Sequence, residues 1–454
     1  MSRLAAFVLL VGALLAPGEG GAVLHERTLA NGLRVIVKED RRAPTVAHLV
    51  WYRVGAVDEK GGTTGIAHVL EHMMFRGTKT VPSGEFSRRV AAAGGRENAF
   101  TGRDYTVYFQ QAERSRLALM MQLEADRMAN LVISGEEFAR EIKVVQEERR
   151  LRTDDRPRVL VYEHLMAAAF QVHPYRQPII GWMADLQAMS AEDLRDWYAR
   201  WYAPNNAYVV VVGDVSAEEV FVLAQMHYGA LAPRALPARK PQDEPPQAGV
   251  RRLVVKAPAE LPYLAMVYKA PVIRDVDQDW EPYALSVLAA VLDGNTSARL
   301  DRILVRERRI ADEAGASYEA FARGPGALLL DGVPSQGRSV AELEAALRSE
   351  ITALATVNVS GEELERAKIQ FVAGQVYKRD SIFAQALELG MLESAGLSFR
   401  DADRMLARIR DVTAEQVRDV ARRFLVEDNL TVATLDPQPV QSNGPARPRM
   451  TPRR

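Results

Sequence analysis

Two histidines and a glutamate stand within five positions of one apolar run, "HVLEHMMF", residues 68 to 75. Val69, Leu70, Met73, Met74 and Phe75 point in nearly every direction around a helix, so the segment reads as a helix buried on most sides. A polar group buried without a partner costs a few kcal/mol and an unpaired charge costs more, so the three polar residues need a common partner. His68 and His72 are four apart and project from one face, one turn from each other. That spacing lets both imidazoles grip one ion. Glu71 falls at the edge of the same face, where it can serve as a base. A single histidine on an apolar face is ordinarily a satisfied core residue, whereas three polar residues at this spacing point to a metal. Neutral imidazole is the commonest zinc ligand and catalytic zinc keeps three protein ligands, so one Zn2+ per chain is expected.

The third ligand must come from elsewhere, and "EEFAREIKVVQEERRL" from Glu136 offers two adjacent candidates, Glu147 and Glu148. At 100° per residue, Phe138, Ile142, Val144, Val145 and Leu151 define an apolar arc. Glu141 and Glu148, seven apart, fall near its middle, while Glu147 falls outside and fits a solvated face. Glu148 is therefore the expected ligand. Glu141, two turns earlier on the same face, is placed to orient a ligating histidine.

The elements that must hold these residues follow a plan that occurs twice. "MSAEDLRDWYARWYAPNNAYVVVVGDV" from Met189 and "VTAEQVRDVARRFLVEDNLTVATLDPQ" from Val412 run without gaps at an offset of 223 residues (412 − 189). Each is a Ser/Thr cap, an amphipathic helix, an Asn turn and a strand, and the ungapped length points to duplication. The stretch from Pro233 to Gly249, rich in Pro and charge, reads as an extended linker. The division expected is a metal-bearing domain over 23–232, a linker over 233–249, a homologous domain lacking the site over 250–437, and a disordered tail over 438–454. Strand runs separated by helical runs, without a βαβ rhythm, give an α+β class with an antiparallel sheet and packed helices in each half. "ENAFTGRDYTVYFQQ" reads as a hairpin with Gly102 in its turn, and "EAGASYEAFARGPGALLLDGV" as its second-half equivalent. The "GPG" from Gly324 is too short for a phosphate loop and reads as a turn.

Composition narrows the partners. The 454 residues hold 58 Lys and Arg against 59 Asp and Glu, a net charge of −1, with no basic stripe of the kind nucleic-acid binders carry. There is no cysteine, so disulfide and thiol chemistry are excluded. Residues 1–22 read as a signal peptide, with Arg3 ahead of an apolar stretch from Leu4 to Leu15 that stops at Pro17. Export to a bacterial periplasm is expected, with no membrane span after signal removal. His25, His48, His164, His173 and His227 lack ligand spacing.

"GIAHVLEHMMFRGT", the Glu-Glu-Arg-Arg helix about 75 residues later and the two-half layout resemble the pitrilysin, insulysin and mitochondrial-processing-peptidase family of inverted-motif (H-x-x-E-H) zinc peptidases, in its short bacterial form. The resemblance covers nearly all of the chain outside the signal segment. It implies a clamshell of two similar α+β domains around a peptide chamber and supports His68, His72 and Glu148 as ligands with Glu71 as base. It also implies that the peptide substrate lies as an added strand on the hairpin edge, where Asn98 and Ala99 match the family's substrate-contacting pair.

The second half departs from the first at every position of the motif. "SVLAA" at Ser286–Ala290 keeps the Val-Leu framework of "HVLEH" but replaces His68, Glu71 and His72 by Ser286, Ala289 and Ala290. Active relatives supply an arginine and a tyrosine, seven apart, from such a half or from a partner. Here "LVRERRIAD" puts Val305 and Asp312 at those positions. The expectation is a homologous partner subunit that lacks the zinc motif and supplies the pair, making a heterodimer, with a self-sufficient homodimer as the other assembly the sequence allows. A non-catalytic scaffold subunit is the alternative, and a scaffold has no reason to keep His68, Glu71, His72 and Glu148 together.

Overall fold

The computed structural model describes residues 24–439. The expected signal segment and all of the expected tail beyond residue 439 lie outside the described residues. In the first half, strands β1 (Leu24–Thr28), β2 (Arg34–Glu39), β3 (Thr45–Tyr52), β4 (Arg96–Thr101), β5 (Thr106–Glu113) and β6 (Ala207–Gly213) form one sheet in the order β1-β2-β6-β3-β5-β4. In the second half, β7 (Arg251–Pro258), β8 (Tyr263–Ala270), β9 (Ala311–Tyr318), β10 (Gly326–Pro334) and β11 (Leu430–Gln438) form another in the order β7-β11-β8-β10-β9. Strand β11 runs one residue into the expected tail. Pairing is antiparallel apart from one parallel pair in each sheet, β2 with β6 and β7 with β11. Strands β6 and β11 each return to their sheet after a long helical excursion, and such a crossover permits parallel pairing where a hairpin does not.

The helices are distributed in a way the sequence does not announce. One face of the first sheet packs on its own helices, among them the motif helix (Ile66–Met73), Leu117–Asn130 and Ala191–Trp201. Its opposite face, with Leu49, Trp51, Tyr208 and Val210, is covered by a second-half helix, Ile382–Ser394, through Ala386 and Leu389. Reciprocally, the first-half helix Pro157–Ala169 lays Val161, Leu165 and Met166 against Val255, Ala265 and Val267 of the second sheet. The two halves exchange a helix. Amphipathic periodicity says that a helix covers a sheet but not which sheet.

The fit of the exchanged helix is close. A Cβ on Gly390 would lie 2.1 Å from Trp51 Cε2, and the Tyr208 hydroxyl donates to the Gly390 carbonyl at 2.7 Å. The segment between the halves carries no helix or strand, yet it is pinned. Glu244 accepts the backbone N–H groups of Gln171, Val172 and His173 at 2.9, 2.8 and 3.1 Å and pairs with Lys269 at 2.7 Å. The turn at Gly324 reaches the other half as well: the Arg323 N–H donates to Asp104 at 2.9 Å, and its guanidinium spans both oxygens of Asp58 at 3.0 and 3.2 Å. Among the described residues, no helix is long and apolar enough to cross a membrane.

Candidate metal centre

The motif helix is built on a buried start. Gly65, at φ +85°, sits so close to Gly181 that a Cβ on it would lie 2.5 Å from the Ile180 carbonyl oxygen. The carboxylate of Glu59 caps the first turn, accepting N–H groups from Gly65 at 2.8 Å and Ala67 at 2.9 Å. Burial pushes the Glu59 carboxyl up to about 8, against the two N–H groups that stabilise its anion. Ile66, Ala67, Val69, Leu70 and Met73 are buried, and the helix turns its remaining, partly open side with His68, Glu71 and His72 to the site.

The second contributor is the helix Gly135–Arg149, started by the Ser134 hydroxyl, which accepts the Glu137 N–H at 3.1 Å. Phe138, Ile142 and Val145 bury one side. Val144 and Leu151, expected in that apolar arc, are instead 48% and 57% exposed. The three remaining apolar residues still set the face, because they bracket Glu141. The C-terminal end is fixed by Arg149, which is buried, donates to both oxygens of Glu163 at 2.8 Å and reaches the Gly181 carbonyl at 2.8 Å. Glu163 lies on the exchanged helix Pro157–Ala169, so the end that bears Glu148 is tied to an element packed on the other sheet.

His68, His72 and Glu148 converge, one donor atom of each lying within 4.8 Å of the others. Glu148 Oε2 is 3.2 Å from His72 Nε2 and 3.8 Å from His68 Nε2. Ligand atoms about 2.1 Å from a tetrahedral ion lie about 3.4 Å apart, so this donor set fits one zinc-sized cation. Burial, then the neighbouring His72, pushes His68 down to about 4, which keeps its imidazole neutral as a ligand must be. For His72, burial opposes protonation but the Glu148 carboxylate outweighs it and the pKa rises; Glu148 is lowered in turn, chiefly by His72.

Around this cluster, Glu141 Oε2 lies 3.5 Å from His72 Nδ1, and Arg76 holds the other Glu141 oxygen at 2.5 Å. His68 Nδ1 is buried with no hydrogen-bond partner among the described residues, and Glu141 Oε2 makes no hydrogen bond either, so Glu141 stands behind His72 without bonding it. Arg152 reaches Glu148 Oε1 at 2.6 Å and leaves Oε2 facing the imidazoles. Glu147 points away and pairs with Arg150 at 2.9 Å. The Glu71 carboxyl is raised by burial, offset in part by the Thr101 hydroxyl, which donates to it at 2.6 Å.

Thr101 ends β4, the free edge of the first sheet, and Asn98 and Ala99 lie on the same strand. Asn98 Oδ1 accepts the Ala99 N–H at 2.9 Å. Arg76 and Arg152 each stand four residues after a residue of the cluster, so helical spacing could have flagged them. Thr101 and Glu59 approach from other elements and left no such signal.

The second half has the framework without the chemistry. Its helix Glu281–Asp293 carries Ser286, whose hydroxyl donates to its own helix at Pro282 at 2.9 Å, with Ala289 and Ala290. Ser360 caps Gly361–Lys378 with the same Ser-Gly-Glu-Glu start as Ser134, an offset of 226 (360 − 134). That register sets Ala367 opposite Glu141 and Gly374 opposite Glu148. Arg306, next to Val305, is engaged by Asp301 at 3.0 Å and by the Thr296 carbonyl.

Residues 34–182 match the family description "Insulinase (Peptidase family M16)" and residues 188–371 match "Peptidase M16 inactive domain". Zinc protease PqqE of Helicobacter pylori is 37% identical over 296 residues, covering 64% of this chain and 66% of that protein. The crystal structure of a protease from Helicobacter pylori superposes with a TM-score of 0.87 at 28% identity, covering 92% of this chain and 100% of that one. The fold also matches the periplasmic protease PqqL of Escherichia coli, with a TM-score of 0.76 at 20% identity, over 91% of this chain but 48% of PqqL. With both halves matched in order, this chain belongs to peptidase family M16.

Proposed function

We propose that the protein is a zinc-dependent endopeptidase acting on peptides or unfolded segments. The observation that carries this reading is the convergence of His68, His72 and Glu148 with Glu71 beside them on the open side of the same helix. His68, His72 and Glu148 hold the ion, and Glu141 orients His72 through Nδ1. When bound, zinc polarises a scissile carbonyl and makes a water acidic near neutral pH. Glu71 takes the proton from the attacking water and passes it to the leaving amine. The free edge of β4 receives the substrate main chain as an added strand, with Asn98 and Ala99 at the contact.

The chain acts as half of a catalytic unit, with a homologous subunit that lacks the zinc motif and supplies the arginine and tyrosine missing here. Supporting this are the Val305 and Asp312 replacements and the match to under half the length of PqqL. Export to the periplasm rests on the reading of residues 1–22 as a signal peptide. A scaffold subunit would not preserve a converged ligand set next to a base.

Metal analysis of the purified protein tests the reading, with about one zinc per chain expected. Glu71→Gln should keep the metal and abolish cleavage, whereas His72→Ala should lose both. A Glu71→Gln protein that cleaves peptides as well as the parent would remove Glu71 from its role.

A further inference from the structure

Glu71 stands on the partly open side of the motif helix, on a side chain with several rotatable bonds, so the helix alone does not fix its carboxylate. The hydrogen bond from Thr101 to Oε2, at 2.6 Å, is the one that carboxylate receives among the described residues. It leaves the other carboxylate oxygen free to accept a proton.

The donor is mounted where the hairpin is tied to its surroundings by several hydrogen bonds. Thr101 pairs with Thr106, whose hydroxyl donates to the Val54 carbonyl at 3.0 Å. In the turn that follows, the Gly102 N–H donates to Tyr105 O at 2.8 Å, and its carbonyl accepts the Ala56 N–H at 3.2 Å. Arg103 O accepts the Val57 N–H at 2.8 Å. Asp104 is gripped by the Tyr175 hydroxyl at 2.6 Å and by the Arg323 N–H at 2.9 Å, the latter from the other half. A β-branched threonine adds a stiff χ1 to this fixed backbone.

We propose that Thr101 is a positioning residue for Glu71: its hydroxyl holds the base in reacting position and joins it mechanically to the edge strand on which substrate lies. The proposal rests on the reading of Glu71 as the base. Proton transfer depends on heavy atoms held within hydrogen-bond reach, and misplacement by about 1 Å costs up to ~100-fold in rate. Threonine combines strand propensity with a short-reach hydroxyl donor. Valine keeps the shape and loses the donor; serine keeps the donor.

The test uses the full-length chain, with its partner subunit where one is needed. Thr101→Val should lower kcat about 10- to 100-fold with KM and zinc content unchanged, and Thr101→Ser should stay within about 3-fold of the parent. A Thr101→Val enzyme with parental kcat, or a Thr101→Ser enzyme as slow as Thr101→Val, overturns the proposal. Glu71→Gln in the same series separates the two ideas: if it is as active as the parent, the base assignment itself fails, and this proposal with it. Crystal structures supply a readout independent of turnover. The Glu71 carboxylate should leave its position in Thr101→Val and keep it in Thr101→Ser, and an unmoved carboxylate in Thr101→Val also overturns the proposal.

Discussion

Glu141 joins Arg76 to His72: one carboxylate oxygen takes the guanidinium at 2.5 Å while the other lies 3.5 Å from His72 Nδ1. A carboxylate behind a ligating imidazole fixes the ring and its tautomer, and losing it typically costs about 10- to 100-fold in metal affinity. Glu141→Gln should therefore weaken zinc binding by roughly that factor. Competition with a fluorescent chelator measures it, and parental affinity would show that Arg76 or packing alone orients His72.

The adjacent glutamates should differ sharply. Glu148→Gln removes a ligand and should release zinc to chelators far more readily, whereas Glu147→Gln breaks only an exposed pair with Arg150 and should behave as the parent. The reverse ranking in the same titration would discard the assignment.

Acid should loosen the junction between the halves through Glu244. Burial opposes its ionisation, but Lys269 and three backbone N–H groups prevail and hold the carboxyl down to about 2. A carboxyl with a depressed folded pKa contributes stability that is complete above its ordinary value of 4.5 and is lost as pH falls from there towards 2. Glu244→Gln should destabilise the protein at pH 7 by about 1–3 kcal/mol. Its urea midpoint should converge on that of the parent as the pH falls from 4.5 towards 2. Equal midpoints at pH 7 would mean that the clamp contributes nothing.

Cleavage by the isolated chain should be weak. Adding a homologous subunit that supplies the arginine and tyrosine should raise the rate about 100- to 1000-fold, the usual value of one preorganised oxyanion donor. Robust cleavage by the pure chain, unchanged when the homologue is added, would establish self-sufficiency.

Much of the site was legible because it obeys helical spacing. His68 to His72 and Glu141 to Glu148 each repeat on one face, and a helix keeps such residues together wherever it packs. Phe138, Ile142 and Val145 suffice to turn Glu148 rather than Glu147 towards the two histidines, although Val144 and Leu151 turn outward. The strands and hairpins that carry Asn98 and Gly324 were legible from alternation and turn residues. Contacts between elements were not. Thr101 is an ordinary strand threonine until the motif helix is placed against it, and Glu59 is an ordinary loop acid until Gly65 and Ala67 need an acceptor. The parallel pairing of β6 with β2 and of β11 with β7, and the exchange of two helices, are choices of destination, which no local pattern encodes.

The crossed helices bind each half to the other's sheet. Swinging one half away from the other would strip Ala386 and Leu389 from the first sheet and Val161, Leu165 and Met166 from the second, exposing side chains worth about 1.5–3 kcal/mol each for the larger ones. Cutting the connecting segment should therefore not free two independently folded fragments.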